Sequence, residues 1–330
     1  MRRVGWTRRF VTAVEGESYY PVTVDGSEYC PSTKIAGAGC LRQRSPKGEI
    51  HYAHLVVAAT VTRVGSHEIL PLEAEEVRNT EGQQPQDCEL TAAKRLVKRL
   101  RAEHRQLQSC IIGDDLYAHD PFIQELRQWR MGFVLVAKPT SHAALVAGVE
   151  ERERQGEGVR GTWEEGAGSR RRSFEYRSVG QVSLTHASSV RVNFVELWAR
   201  DPAGQVLSHN SWVTEFAVPP ETVATIGGLG RARWKIENEQ FNVHKNHGSE
   251  VAHKYGHGRQ TRSRVFYLLN LLAFVAHKVL EVGDRLYQKG RVGEARRGLG
   301  TLLRSAFYLV EVESWKALLL HPLRETVYSP

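Results

Sequence analysis

The sequence predicts an α/β protein built on a mixed sheet with helices on both faces. Three observations predict it. Strand-like segments run consecutively at residues 19–25, 51–64 and 68–72, strand and helix patterns alternate from residue 87, and the chain is mostly helical after residue 231.

Taken in order, residues 1–18 show no clear period and read as a loose leader. Tyr20, Val22 and Val24 share one face of a strand that ends in Asp25-Gly26. A Gly-rich loop covers residues 30–48, a β-branched strand residues 51–64, and a short strand residues 68–72, where Pro71 marks an edge or an end. Residues 73–86 are polar linker. From Asp87 to about His104 the period is helical, with Leu90, Ala93, Leu96, Val97 and Leu100 on one face. Residues 109–114 form a short apolar strand ending on a carboxylate, residues 121–129 a helix with Pro121 in its first turn, and residues 132–138 another buried strand. Residues 150–160 are charge-rich, and short alternating strands follow at 173–176 and 191–198. Helices are expected from about Arg231 to His244, at 264–287 and at 295–318. No internal repeat is recognisable. The expected division is a leader (1–18), the first part of the core (19–150), a β-rich insertion (151–220), a helix with a His/Gly-rich segment (221–262) and a helical C-terminal region (263–330). Strand-strand-strand-helix-strand-helix-strand, then an insertion and a helix, is the element order of the ribonuclease H-like fold.

The 330 residues carry 45 Lys plus Arg against 37 Asp plus Glu, with 41% hydrophobic and 25% charged residues, which excludes disordered and fibrous classes. Residues 231–330 hold 17 of the basic and 9 of the acidic residues, leaving 28 of each sign before them. The whole surplus of positive charge therefore sits in the last third, where a polyanion-binding surface is expected. Cys30, Cys40, Cys88 and Cys110 are too few for a disulfide framework and contain no CxxC pair. The basic start lacks an apolar signal core, and the longest apolar stretch, residues 265–276, is interrupted by Asn270 and falls short of the ~20 residues that span a bilayer. A cytoplasmic protein without a membrane partner is expected.

Three carboxylates stand where chemistry would need them. Asp25 and Asp114 close the first and fourth strands, neighbours in such a sheet, and Glu237 lies on the helix after the insertion. Convergent carboxylates form a hard oxygen site suited to Mg²⁺ or Mn²⁺, and two such ions assist in-line phosphoryl displacement. Each residue also has a plainer reading. Asp25-Gly26 can be a hairpin turn, Asp114-Asp115 a helix cap, and Glu237 the partner of Arg233 on a solvated helix face.

The run Arg231, Arg233-Trp234-Lys235-Ile236-Glu237-Asn238-Glu239, Phe241-Asn242, Lys245-Asn246, followed by His253 and Tyr255-Gly256-His257-Gly258, resembles the last catalytic motif of insertion-sequence DDE transposases. Val24-Asp25-Gly26-Ser27, Gln86-Asp87-Cys88-Glu89-Leu90, Asp114-Asp115-Leu116-Tyr117 and Ser211-Trp212-Val213-Thr214 agree with the same family, from about residue 20 to 280. The resemblance implies metal-dependent cleavage and joining of DNA strands, with Asp25, Asp114 and Glu237 holding two Mg²⁺ or Mn²⁺ ions and with a homodimer assembled on DNA. It also implies Arg233 and Lys245 as phosphate-holding residues. On a uniform α-helix Arg233 shares the face of Glu237, while Lys245 lies about 80° around and His244 stacks closer. Many such enzymes carry a Tyr three residues before that Arg, and here position 230 is Gly.

Lys254, Arg259, Arg262 and Arg264 follow the motif and are expected to contact DNA phosphates. Arg170, Arg171 and Arg172, beside Phe174 and Tyr176, can clamp DNA or form a solvated charge run. His244, His247, His253 and His257 can bind zinc or line a turn. Only 24 residues precede Asp25, so two readings stay open: an active transposase, or a truncated, non-catalytic DNA-binding or dimerising remnant.

Overall fold

The computed structural model describes residues 5–34, 40–44, 48–78, 87–247, 251, 262–292, 296–309 and 311–325. After a 3₁₀ turn, Gly5–Phe10, the strands are β1 (Thr12–Val14), β2 (Glu17–Ser32), β3 (Leu41–Arg44), β4 (Ile50–Thr62) and β5 (Ile69–Val77). Then come α1 (Glu89–Glu103), β6 (Ser109–Gly113), α2 (Asp120–Gln128), β7 (Gly132–Val136) and α3 (Ala143–Arg154). Strands β8 (Gly158–Glu165), β9 (Arg172–Ser183), β10 (Arg191–Arg200) and β11 (Val206–Thr214) precede α4 (Pro220–Arg231). A π-helical segment, Ile236–Phe241, leads into α5 (Asn242–Asn246), and α6 (Arg262–Gly283), α7 (Arg285–Gly290), α8 (Arg296–Leu309) and α9 (Trp315–Glu325) complete the chain.

The protein is α/β, as the sequence predicts, with one mixed sheet in the order β3-β4-β2-β6-β7-β11-β10-β9-β8; β5 also pairs with β4, and β1 with β2. Strands β2, β6 and β7 are parallel to one another, and every other pairing is antiparallel. One sheet face packs on α1, α2 and α3 through Leu96, Val97, Phe122, Ile123, Leu126 and Leu145. The opposite face packs on α4 through Val223, Ile226 and Leu229, and around β4 on Ile236 and Phe241 of the π-helical segment.

Several expectations are corrected. Residues 5–18 are no loose leader: Phe10 and Val14 are buried, and β1 folds back on β2. Asp25 does not end its strand, because β2 runs seven residues further against β4. Strand β5 continues through residues read as linker. Pro71 sits at the register shift of an edge strand, where its missing N–H is harmless. Glu73 and Glu75 are neutralised by Arg99 and Arg95 of α1, so a strongly acidic segment still folds as a strand. The first part of the charge-rich stretch 150–160 belongs to α3, which runs from Ala143 to Arg154.

The β-rich insertion is not separate. Trp212, Val213 and Thr214 of β11 pair with Val136, Leu135 and Val134 of β7, so the four later strands extend the central sheet. The stretch leading up to Arg231 is itself helical, as α4, and the helix expected from about Arg231 to His244 is the π-helical segment Ile236–Phe241 continued by α5. The helix expected at 264–287 divides at Asp284, whose carboxylate caps α7 by accepting from the Leu286 and Tyr287 N–H groups. Helix α6 has 22 residues, longer than its apolar run suggested, and by length and composition it is the one helix among the described residues able to cross a membrane. One of its stripes, Tyr267, Leu271, Phe274 and Lys278, is nonetheless buried, with Tyr267 and Leu271 against Tyr29 and Val56 of the sheet and Phe274 against Ile69 of β5.

Candidate active site

The parallel pairing of β2 with β6 ends at Thr23 opposite Ile112. Asp25 and Asp114 each lie two residues beyond that pair, so the topology places both carboxylates at one level where the strands part. Asp25 stays within the sheet, opposite Ala58 of β4, and is only 8% exposed. The Asp114 backbone turns away into a 3₁₀ turn, Asp115–Tyr117, and its Oδ1 accepts from the Leu116 N–H at 2.9 Å.

From the opposite sheet face comes Arg233, four residues before Glu237. Its Nη1 lies 2.6 Å from Glu237 Oε1 and 3.4 Å from Asp25 Oδ2. One guanidinium thus ties the glutamate of the helical segment to the aspartate of the central strand. Burial pushes the Asp25 carboxyl up from 3.8 to about 7; Arg233 opposes the shift, and Asp114 and Glu237 add to it. Burial also raises Asp114, against the Leu116 N–H, Arg233 and Lys138. These carboxylates sit together at a cost in electrostatic energy, as at working sites.

A fourth acid, Glu89 in the first turn of α1, stands on the other side of β2. A Cβ at Gly26 would lie 2.5 Å from its carboxyl carbon, so only glycine after Asp25 admits that side chain. Tyr117 Oη donates to Glu89 Oε1 at 2.7 Å, and Tyr117 is fully buried. Sequence reading missed Glu89. The signal was the dipeptide Asp25-Gly26, read as the end of a strand, with a hairpin turn as the plainer alternative, although β2 runs straight through it. Lys138, two residues past β7, was also missed: Gly113 pairs with Leu135, so Asp114 is level with Val136 and Lys138 follows close enough for its charge to act on Asp114.

Asp115 has other work. It accepts from the Lys138 N–H at 2.6 Å and from the Ser141 hydroxyl, and lies 3.2 Å from His142 Nε2. These contacts tie its carboxylate to the 138–142 loop.

The π-helical segment changes the placement of the residues after Glu237. A π turn takes about one residue more than an α turn, so a residue eight positions on takes the phase that seven would have in a uniform helix. Lys245 and His244 both line a small cavity of about 10 Å³ with Ser27 and Glu28 of β2. His244, expected closer to the Glu237 line, is buried with its ring 4.3 Å from that of Phe274. Gly230 is explained by packing: any Cβ there would collide with the Trp212 indole, which fills the space a Tyr would need.

Arg170, Arg171 and Arg172 are exposed at the β8–β9 hairpin, and Arg171 is held by Glu164 at 2.6 Å. Alternating strand directions bring that tip to the same end of the sheet as the carboxylates. Arg262 is exposed and Arg264 half-buried, 3.8 Å from Glu76. Lys254, Arg259, His253 and His257 lie outside the described residues.

Among the described residues no three His, Cys, Asp or Glu side chains stand as a ready metal-binding set. The donor chemistry does fit a hard divalent cation: buried carboxylates made reluctant to ionise by burial and mutual repulsion would be relieved by one. With Glu237 turned to Arg233, the guanidinium supplies the positive charge there. No family model and no curated protein matches the chain.

Proposed function

We propose that the chain is a DNA transposase of the DDE type on a ribonuclease H-like fold. The observation that carries the reading is the pair Asp25 and Asp114, level on adjacent parallel strands, with Glu237 and Arg233 brought over them from the opposite sheet face. The order β5-β4-β2-β6-β7, in which β4 alone runs against the other four strands, supports the fold. The substrate is DNA, at element ends and at a target, bound by a homodimer in the cytoplasm.

In this reading Asp25, Asp114 and Glu237 hold Mg²⁺ or Mn²⁺, two ions, which supply Lewis-acid stabilisation of the phosphoryl oxygens. The protein's own part is positioning. Arg233 moves its charge from Glu237 to a scissile phosphate oxygen, leaving the glutamate free as a donor. Lys138 and Lys245 offer further cations on either side, and Arg170, Arg171, Arg172, Lys254, Arg259, Arg262 and Arg264 hold the backbone of the duplex. Water is the first attacking group, and the freed 3′-hydroxyl the second.

One observation favours a different reading, a non-catalytic DNA-binding or dimerising protein: Arg233 already bridges Asp25 and Glu237. Strand cleavage separates the two. DNA carrying the ends of the flanking element is incubated with Mg²⁺, with Mn²⁺ or with EDTA, using the wild type and Asp25→Ala, Asp114→Ala and Glu237→Ala. The expected result is divalent-dependent cleavage lost in all three variants, with DNA binding retained. DNA binding without cleavage by the wild type would establish the alternative, and cleavage surviving in a variant would remove that residue from the site.

A further inference from the structure

We infer that the outward face of α6 is the surface through which two copies of this chain pair, antiparallel and without DNA. The reading above calls for a homodimer, and the inference rests on it only in supplying that dimer with a surface.

Helix α6 has two apolar sides. One, through Tyr267, Leu271 and Phe274, is buried on the sheet. The other is open, and every exposed residue between 265 and 283 is apolar. Their spacing is regular. Val265, Leu269, Leu272, Ala276, Val279 and Gly283 follow one another at steps of four, three, four, three and four, the 3.5-residue period of a helix that packs along another helix. Nothing about exposure to water calls for such a period. Nucleic acid does not fit either, because the strip offers no charge to a phosphate.

The sizes along this seam say which helix completes it. Its first half is the larger, with Val265, Leu269 and Leu272, and its second half the smaller, with Ala276, Val279 and Gly283. About a two-fold axis, antiparallel pairing sets Val265 against Gly283 of the second copy, Leu269 against Val279 and Leu272 against Ala276. Each larger side chain then meets a smaller one, and the two helices keep one separation along their length. The same seam therefore completes itself. Parallel pairing would set Leu272 on Leu272 and Gly283 on Gly283, wedging the helices apart at one end and leaving a gap at the other. It would also align the two helix dipoles.

The area agrees. Leu272 is 66% exposed, Leu269 55% and Val265 49%. With Phe266 and Leu268 at its flank, the strip opens roughly 600 Å² on each copy, so roughly 1,200 Å² in a pair, the lower bound for a stable specific interface.

Sedimentation equilibrium of the full chain in the absence of DNA tests the pairing. The proteins are wild type, Leu272→Glu, and Leu272→Glu combined with Ala276→Lys. Both positions are exposed, and circular dichroism checks that each variant keeps its fold. The wild type is expected at twice the mass of one chain at micromolar concentration. Leu272→Glu is expected to weaken pairing about a hundredfold or more and to sediment as a monomer, because each copy then brings an unpaired charge into an apolar contact. The double variant is expected to pair again, since in the antiparallel register the new acid of each copy faces the new base of the other. A monomeric wild type, or a Leu272→Glu variant that stays dimeric, would overturn the inference. A double variant that stays monomeric would overturn the antiparallel register. Co-sedimentation with phosphatidylcholine–phosphatidylglycerol vesicles examines the rival occupant: a monomeric wild type carried down by vesicles would assign the strip to a bilayer surface instead. None of these measurements involves cleavage, so a failure here leaves the catalytic reading to its own assay.

Discussion

Replacing Asp25 by Asn should make the protein more stable at neutral and alkaline pH while abolishing the strand cleavage proposed above. The fold holds the Asp25 proton up to about 7 instead of the ordinary 3.8, which corresponds to about 4 kcal/mol against the ionised form. A group with a raised folded pKa contributes stability that is fully present below the unfolded pKa. Here that contribution is lost as pH rises from about 4 to about 7, and none of it remains beyond. Asn cannot ionise, so it avoids the loss. It does give up the contact with Arg233, worth about 1 kcal/mol at a partly exposed pair. The net expectation is a variant more stable by roughly 2 to 3 kcal/mol at pH 8, and close to or slightly below wild type at pH 4.5. Urea unfolding of both proteins in EDTA at several pH values measures the difference. A gap that does not change between pH 4.5 and pH 8, or a variant less stable at pH 8, would show that Asp25 is not held against its ionisation.

Two further changes test the packing around the site. Gly230→Ala forces a methyl group into the Trp212 indole and should cost about 1 to 3 kcal/mol in urea unfolding; a neutral substitution would mean that α4 can shift off the sheet. Arg177→Met strips Glu196 of its guanidinium partner and leaves a carboxylate only 2% exposed with His209 alone, at 2.6 Å. A loss of about 3 to 5 kcal/mol is expected, and a loss below about 1 kcal/mol would show that His209 suffices.

The elements that read correctly were those whose burial is one-sided or complete. Helix α1 carries an apolar stripe on a charged surface, and β6 and β7 are short runs buried on both faces; such patterns need no knowledge of partners. Strand β5 was cut short because its three glutamates look like linker until Arg95 and Arg99 are placed opposite them. The later strands looked like an insertion because nothing local says that Val213 meets Leu135. At the site, the nearness of Asp25 to Asp114 and to Glu237 followed from their positions on the elements, and Arg233 came from the resemblance. Glu89 did not, since its relation to Gly26 crosses from strand to helix. The helical phase of Lys245 and His244 was not legible, because a wheel drawn at constant pitch cannot anticipate a π turn.

Continuity of the sheet from β2 to β8 turns the fold into a ruler. Six strand steps at about 4.8 Å set the arginine-bearing hairpin roughly 29 Å from the acid-bearing strand before twist is counted. Along a duplex rising 3.4 Å per base pair that is roughly eight base pairs. Because hydrogen-bonded strands, and no flexible linker, span the interval, an enzyme working on duplex DNA would grip it at a fixed distance from the cut. Lengthening a loop would not change that distance; only adding or removing a strand would.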